Sequence, residues 1–198
     1  MTSATIAHAL PAAGWPPVVS WPNAVTLTRT AVAVTIGMAA VVHTSATALL
    51  AAYTVYWVGD VLDGWLARRL RQETRLGAVL DIISDRACCA VLACGLVALQ
   101  PALWPALAVF LLQFLLVDCI LSLAFLRWPI DSPNDFHLVD PTIWRLNWSP
   151  PAKVVNTVAV VATVAAGSVE LALSVAVAQL TLKLWSARQV LALDLPGR

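Results

Sequence analysis

Four aspartates, Asp60, Asp63, Asp81 and Asp85, stand inside otherwise apolar runs of this chain. A carboxylate at membrane depth costs roughly 2.5–3.5 kcal/mol on insertion scales, so four together require a compensating cation or a water-filled cavity. On a helix turning about 100° per residue, Asp63 lies about 60° from Asp60, and Gly64, Ala67 and Arg68 fall on the same face. Gly77, Asp81 and Asp85 recur at intervals of four and share one face of the next helix. Folding the two helices back to back about Glu73 puts Asp60 and Asp63 roughly 20 and 15 Å from the turn, at ~1.5 Å per residue. Asp81 and Asp85 then lie about 12 and 18 Å from it. The two carboxylate pairs reach similar depth on facing helices. Converging oxygen donors suit hard divalent cations, Mg²⁺ or Mn²⁺. Two ions are expected, because four carboxylates overcompensate one charge of +2.

The elements that must position these residues are membrane helices. The chain has 198 residues, 60% hydrophobic and 12% charged, with a mean hydropathy of +0.82. A soluble domain carries far more charge. The expected fold is all-α and polytopic, with six transmembrane helices near residues 25–43, 45–70, 76–99, 102–126, 151–167 and 169–190. Residues 1–20 lack the basic start and continuous apolar core of a signal peptide and read as an interfacial segment. Residues 21–190 show no internal repeat and are expected to form one six-helix domain holding the carboxylate site, with residues 191–198 as a cytoplasmic tail. Arg68, Arg69, Arg71 and Arg75 in one connection, Arg127, Arg145 and Lys153 in another, and Lys183, Arg188 and Arg198 near the C-terminus lie on one side, whereas the opposite connections carry no Lys or Arg. That asymmetry predicts cytoplasmic termini and a site open to the cytoplasm, most simply at the cell membrane.

Residues 127–150 form the longest polar interruption, with Trp128, Trp144 and Trp148 among prolines and aspartates. Interfacial tryptophan anchors and a structured cap over the site are equally good readings. The four cysteines lie inside predicted spans and read as reduced core thiols. His8, His43 and His137 are too scattered for a metal site. No basic stripe interleaved with aromatics suggests nucleic acid. Asp118 and Gln113 are polar within the fourth span. Asp118 is expected to pair with a buried arginine such as Arg29, with the acceptor pocket as the alternative. Arg86 reads as a structural counter-charge.

The small residues Gly64, Ala67 and Gly77 leave the carboxylate face without bulk. A glycine inside a helix costs up to ~1 kcal/mol relative to alanine, so a ligand or another helix must come close there. Arg68, at the rim, suits a phosphate. The order Asp60, Asp63-Gly64, Ala67-Arg68, Gly77, Asp81, Asp85 resembles the complete motif of the CDP-alcohol phosphotransferase family. Upstream, Pro22, Asn23, Thr26 and Arg29 resemble the opening of that family's first span. The resemblance implies transfer of a substituted phosphate from a CDP-linked donor to an alcohol, with release of CMP. By that resemblance Asp60, Asp63, Asp81 and Asp85 hold a two-metal centre, and Gly64, Ala67, Arg68 and Gly77 contact the cytidine nucleotide. Asp85 would also take the acceptor's proton, and a homodimer is implied. CDP-diacylglycerol is the expected donor.

For the acceptor, Ser149, Lys153, Asn156 and Thr157 open the fifth span much as in members that make phosphatidylglycerophosphate or cardiolipin, although Pro150 and Pro151 depart from that opening. Arg29, Arg127, Arg145 and Lys153 are the candidate grips for an acceptor phosphate. Glycerol 3-phosphate or phosphatidylglycerol is the expected acceptor, and inositol phosphate the alternative. Snorkelling at span ends competes for Lys153 and Arg127. An intramembrane prenyltransferase would carry two separated Asp-rich motifs. A transporter or proton relay would more often show repeat symmetry and broken helices.

Overall fold

The computed structural model describes residues 20–194. The expected interfacial segment lies outside them apart from Ser20, as do the last four residues of the expected tail. The described residues are all-helical: α1 (Trp21–His43), α2 (Ala46–Leu70), α3 (Arg75–Leu99), α4 (Pro101–Arg127), α5 (Pro141–Asn147), α6 (Pro150–Ala166) and α7 (Val169–Ala192). A 3₁₀ turn, Pro133–Leu138, precedes α5. Local chemistry sets the boundaries. The hydroxyls of Ser20, Ser45, Thr74, Ser149 and Ser168 each accept a backbone N–H three residues on, starting α1, α2, α3, α6 and α7. Thr44, Arg71 and Gly167 close α1, α2 and α6 in the left-handed conformation.

Helices occupy all six expected positions, and four of them (α1, α3, α4 and α7) are long and apolar enough to cross a membrane. The shortfall in the other two has a physical reason. α2 is 25 residues long but carries Asp60, Asp63, Arg68 and Arg69, and α6 has only 17 residues. The outward faces are apolar, as lipid contact demands: Met38 and Val42 on α1, Trp57 and Leu62 on α2, Leu116 and Ile120 on α4 are exposed.

The expected α2–α3 hairpin is present, yet α1 packs far more closely against both helices than they pack against each other. Glycine notches allow this. A Cβ on Gly37 of α1 would lie 2.6 Å from a Val91 methyl of α3, while between α2 and α3 one on Gly95 would lie 2.5 Å from Leu49. On the other side, α3, α4 and α7 enclose a second layer of core, with α6 packed along α7. α4 is wound as a π-helix over Gln113–Asp118. Five positions apart on an α-helix, these two side chains would diverge by about 140°; the wider winding lets both be buried.

Residues 128–150 form a folded cap. Trp128 and Trp148 flank Phe136 at ring-centroid distances of 5.3 and 4.9 Å, and all three are buried with Ile82, Leu121, Ile143 and Val190. Burial of an indole against a phenyl ring rules out the interfacial-anchor reading for Trp128 and Trp148. Trp144 is half-buried and donates its indole N–H to the Asn134 carbonyl at 2.7 Å. The cap is tied down by Arg75, which donates to the carbonyls of Leu126 (2.7 Å) and Trp128 (3.3 Å).

Candidate active site

The carboxylates of α2 and α3 meet around one side chain from α1. Nη2 of Arg29 donates to Asp81 Oδ1 at 2.6 Å and to Oδ1 of Asp60 and of Asp85 at 3.2 Å each. Its Nε donates to Asp63 Oδ2 at 2.8 Å, and the Thr26 hydroxyl donates to the same oxygen at 2.7 Å. The Arg29 side chain is only 2% exposed, and its Nη1 is buried without a hydrogen-bond partner. Its guanidinium also lies 5.5 Å from the ring centre of Tyr56 on α2.

Arg29 reaches this point because α2 offers no side chain in its way. A Cβ on Gly59 would fall 2.6 Å from both Cβ and Cδ of Arg29. Gly59 and Thr26 therefore build the site, although neither carries chemistry that spacing alone would mark out. The sequence signal for Gly59 is its place beside Asp60; its partner, thirty residues upstream, is visible only in the packed structure.

Ligand atoms of Asp60, Asp63 and Asp81 all lie within 4.8 Å of one another. An all-oxygen donor set of this size fits a hard divalent cation such as Mg²⁺ or Mn²⁺ and disfavours softer metals, which prefer sulfur and nitrogen. Asp85 borders the set through its contact with Arg29. Against four carboxylates the single guanidinium leaves a formal excess of three negative charges, so the cluster remains able to take up cations.

The small residues divide into two kinds. A Cβ on Gly77 would lie 3.0 Å from Asn23 Oδ1 of α1, so this glycine admits the start of α1. At Gly64 a Cβ would meet only the Arg68 guanidinium, at 3.4 Å. Arg68 is exposed and Ala67 half-buried on the same face, leaving a rim where a phosphate could be gripped.

The four candidate acceptor grips are scattered. Arg29 is at the heart of the carboxylate cluster. Arg127 donates to the Val190 carbonyl at 3.3 Å and lies 5.0 Å from the Trp128 ring, tying α4 to α7. Arg145 is exposed on α5. Lys153, at the start of α6, is exposed and donates to Asn134 Oδ1 at 2.7 Å. Asp118 does pair with buried cations, but with Arg86 of α3 and Lys183 of α7, at 2.6 Å each. Arg29 is on the far side of α3 and already engaged, which excludes it as the partner. Arg86 is thus a counter-charge, as expected. The cysteines are free thiols.

A helical membrane protein whose apolar interior gathers carboxylates from two adjacent helices, with a cation-compatible opening, belongs to the class of acidic-centre membrane proteins. The sequence model of the CDP-alcohol phosphatidyltransferase family matches residues 19–185, which takes in the carboxylate cluster, Arg29 and the cap. The chain belongs to that family, whose members transfer phosphatidyl groups in phospholipid synthesis. It is 48% identical over 42 residues to the CDP-diacylglycerol–inositol 3-phosphatidyltransferase of Schizosaccharomyces pombe (strain 972 / ATCC 24843), a match covering 21% of this chain and 18% of that relative. No solved structure matches.

Proposed function

We propose that this protein transfers the phosphatidyl group of CDP-diacylglycerol to an alcohol acceptor at the cytoplasmic face of the cell membrane, releasing CMP. The observation that carries this reading is the convergence of Asp60, Asp63, Asp81 and Asp85 on one point inside an apolar bundle. All six long helices would cross the bilayer, with α2 shielding its charged face against α1. The basic connections then lie on the cytoplasmic side.

Asp60, Asp63 and Asp81, with Asp85 at the edge, would hold two Mg²⁺ or Mn²⁺ ions. Bound there, such ions supply charge neutralisation for a pyrophosphate undergoing displacement. The count of charges supports two: with Arg29 included, a pair of divalent ions turns an excess of three negative charges into one positive charge, suited to an anionic donor. Gly64, Ala67, Arg68 and Gly77 would contact the cytidine nucleotide, Gly77 only in the space that Asn23 of α1 leaves beside it. Asp85 would accept the proton of the acceptor hydroxyl as its oxygen bonds to the phosphatidyl phosphorus and the bond to CMP breaks. Lys153, exposed at the start of α6 and not engaged with a carboxylate among the described ion pairs, is the best candidate to hold a phosphorylated acceptor. Glycerol 3-phosphate or phosphatidylglycerol is the first reading of the acceptor. The inositol named in the S. pombe relative supports a second, inositol or its phosphate. A homodimer would be the working unit.

The test is CMP release by protein purified in detergent, with CDP-diacylglycerol, Mg²⁺ or Mn²⁺, and each acceptor in a separate reaction. Release with one acceptor, lost in Asp81→Asn, identifies the product. Absence of both CMP release and metal-dependent binding of CDP-diacylglycerol overturns the transferase reading and leaves the transporter or proton relay.

A further inference from the structure

The catalytic helix α3 is held from two sides. Asp81 and Asp85 face α1 and α2. Arg86, the next residue, is turned about 100° around the axis and faces α4 and α7. Its Nη2 donates to Asp118 Oδ2 at 2.6 Å, and its guanidinium lies 3.9 Å from the centre of the Phe114 ring. Asp118 Oδ1 accepts from Lys183 Nζ at 2.6 Å, and Ser122 Oγ sits 3.4–3.5 Å from both Arg86 and Asp118. The three charged side chains are 10–12% exposed. The proposed reaction uses none of them, yet three charges have been placed at depth in an apolar bundle, one residue from Asp85.

We propose that Asp118 is a positioning residue: by gripping Arg86 from the α4 side, it fixes the rotation of α3 and so the direction in which the Asp85 and Asp81 carboxylates point. The inference rests on the transferase reading for its activity arm and on the proposed metal centre for its Mn²⁺ arm. Turning a helix by about 10° moves an atom ~6 Å from its axis by about 1 Å, and a displacement of that size at a reacting centre costs on the order of a hundredfold in rate. The π-helical winding of Gln113–Asp118 is part of the device, since it keeps Asp118 aimed at α3. Lys183 supports Asp118 by occupying its second oxygen. A guanidinium–carboxylate bond resists rotation in a way that a neutral partner does not, because charge-assisted hydrogen bonds are shorter and about twice as strong.

The experiment compares Lys183→Met with the double variant Asp118→Asn/Lys183→Met. The double variant carries the native net charge of +1 in this network and Lys183→Met carries none. Comparison of the double variant with the native protein therefore holds net charge constant while the Arg86–Asp118 bond is lost. Lys183→Met removes a largely buried cation but leaves Asp118 paired with Arg86, so no carboxylate is stranded and kcat is expected to stay within about threefold of wild type. The double variant is expected to lose tenfold or more in kcat relative to Lys183→Met, with KM for CDP-diacylglycerol changed less than twofold. Mn²⁺ affinity, followed by electron paramagnetic resonance without any acceptor, is expected to weaken several-fold in the double variant. Equal kcat and equal Mn²⁺ affinity in the two variants overturn the positioning role. Wild-type protein that releases no CMP overturns the transferase reading instead, and the Mn²⁺ comparison still decides the role of Asp118.

Discussion

Replacing Gly59 by alanine tests whether the seat of Arg29 governs the site. The added Cβ would fall 2.6 Å from Cβ and Cδ of Arg29 and 3.1 Å from its Cγ, against an optimal carbon–carbon separation of about 3.5–4.0 Å. Two of these carbons belong to the stem nearest the backbone, so the tip of the side chain cannot relieve the clash. Either α1 and α2 separate by about 1 Å or Arg29 leaves its rotamer, and overpacking of this kind costs roughly 1–3 kcal/mol. Alanine gains up to ~1 kcal/mol in helix propensity, so the net loss of stability should be about 0–2 kcal/mol, a modest change in melting temperature. The effect on turnover should be much larger. Arg29 bridges Asp60, Asp63, Asp81 and Asp85 with bonds of 2.6–3.2 Å, and a shift of about 1 Å would spread them, lowering CMP release by on the order of a hundredfold. Gly167→Ala is the control: Gly167 has φ +64° with nothing within 4 Å of the added Cβ, so it should lower stability slightly and leave turnover unchanged. The measurements are melting temperature in detergent and the initial rate of CMP release. Turnover of Gly59→Ala within twofold of wild type would refute the claim that the Gly59 notch sets the carboxylate geometry.

Asp85→Asn should lower CMP release by about 10²–10⁴-fold, the usual contribution of a positioned base, while leaving Mn²⁺ binding by Asp60, Asp63 and Asp81 measurable; loss of both together would count against a separate base role. Among the described residues Arg29 is the one cation bonded to all four carboxylates. Of these Asp63 is buried but Asp60 and Asp81 are 39% and 42% exposed, so Arg29→Met should destabilise the protein by less than the ~3–5 kcal/mol of a fully buried pair. Thermal melting should show the loss, and added Mg²⁺ should recover part of it; a melting temperature unchanged without added metal would contradict the charge argument. Trp148→Ala empties the centre of the cap, where Trp148 is 6% exposed against Phe136, and should destabilise the protein by about 3–5 kcal/mol if the cap folds as one unit with α3 and α4. Limited proteolysis across residues 128–150 provides the readout.

Spacing alone determined a good deal. Helical periodicity put Asp60 with Asp63 and Asp81 with Asp85 on facing surfaces at matching depth, because the rise and turn per residue are fixed properties of a helix. Apolar run length located the helices, and the cost of four carboxylates at membrane depth marked the aspartates as a centre needing a cation or a water-filled cavity. The same reasoning said that Asp118 needs a cation, since an unpaired carboxylate cannot stay buried.

Partners came only from tertiary structure. Which cation meets which carboxylate depends on how helices rotate and which one lies between the others, and no local property of Arg29, Arg86 or Lys183 encodes that. α1 enters beside α2 and α3 because Gly37 admits Val91 of α3 and Gly59 of α2 admits the stem of Arg29, and this brings Arg29 to the aspartates and leaves Arg86 to Asp118. The π-helical winding in α4 likewise has no signature in an apolar run, yet it allows Gln113 and Asp118 both to be buried. Trp128 and Trp148 gave the same sequence signal as interfacial anchors; Phe136 between their rings decided that they form a core. Periodicity fixes the face on which a side chain stands, and packing decides what that face meets.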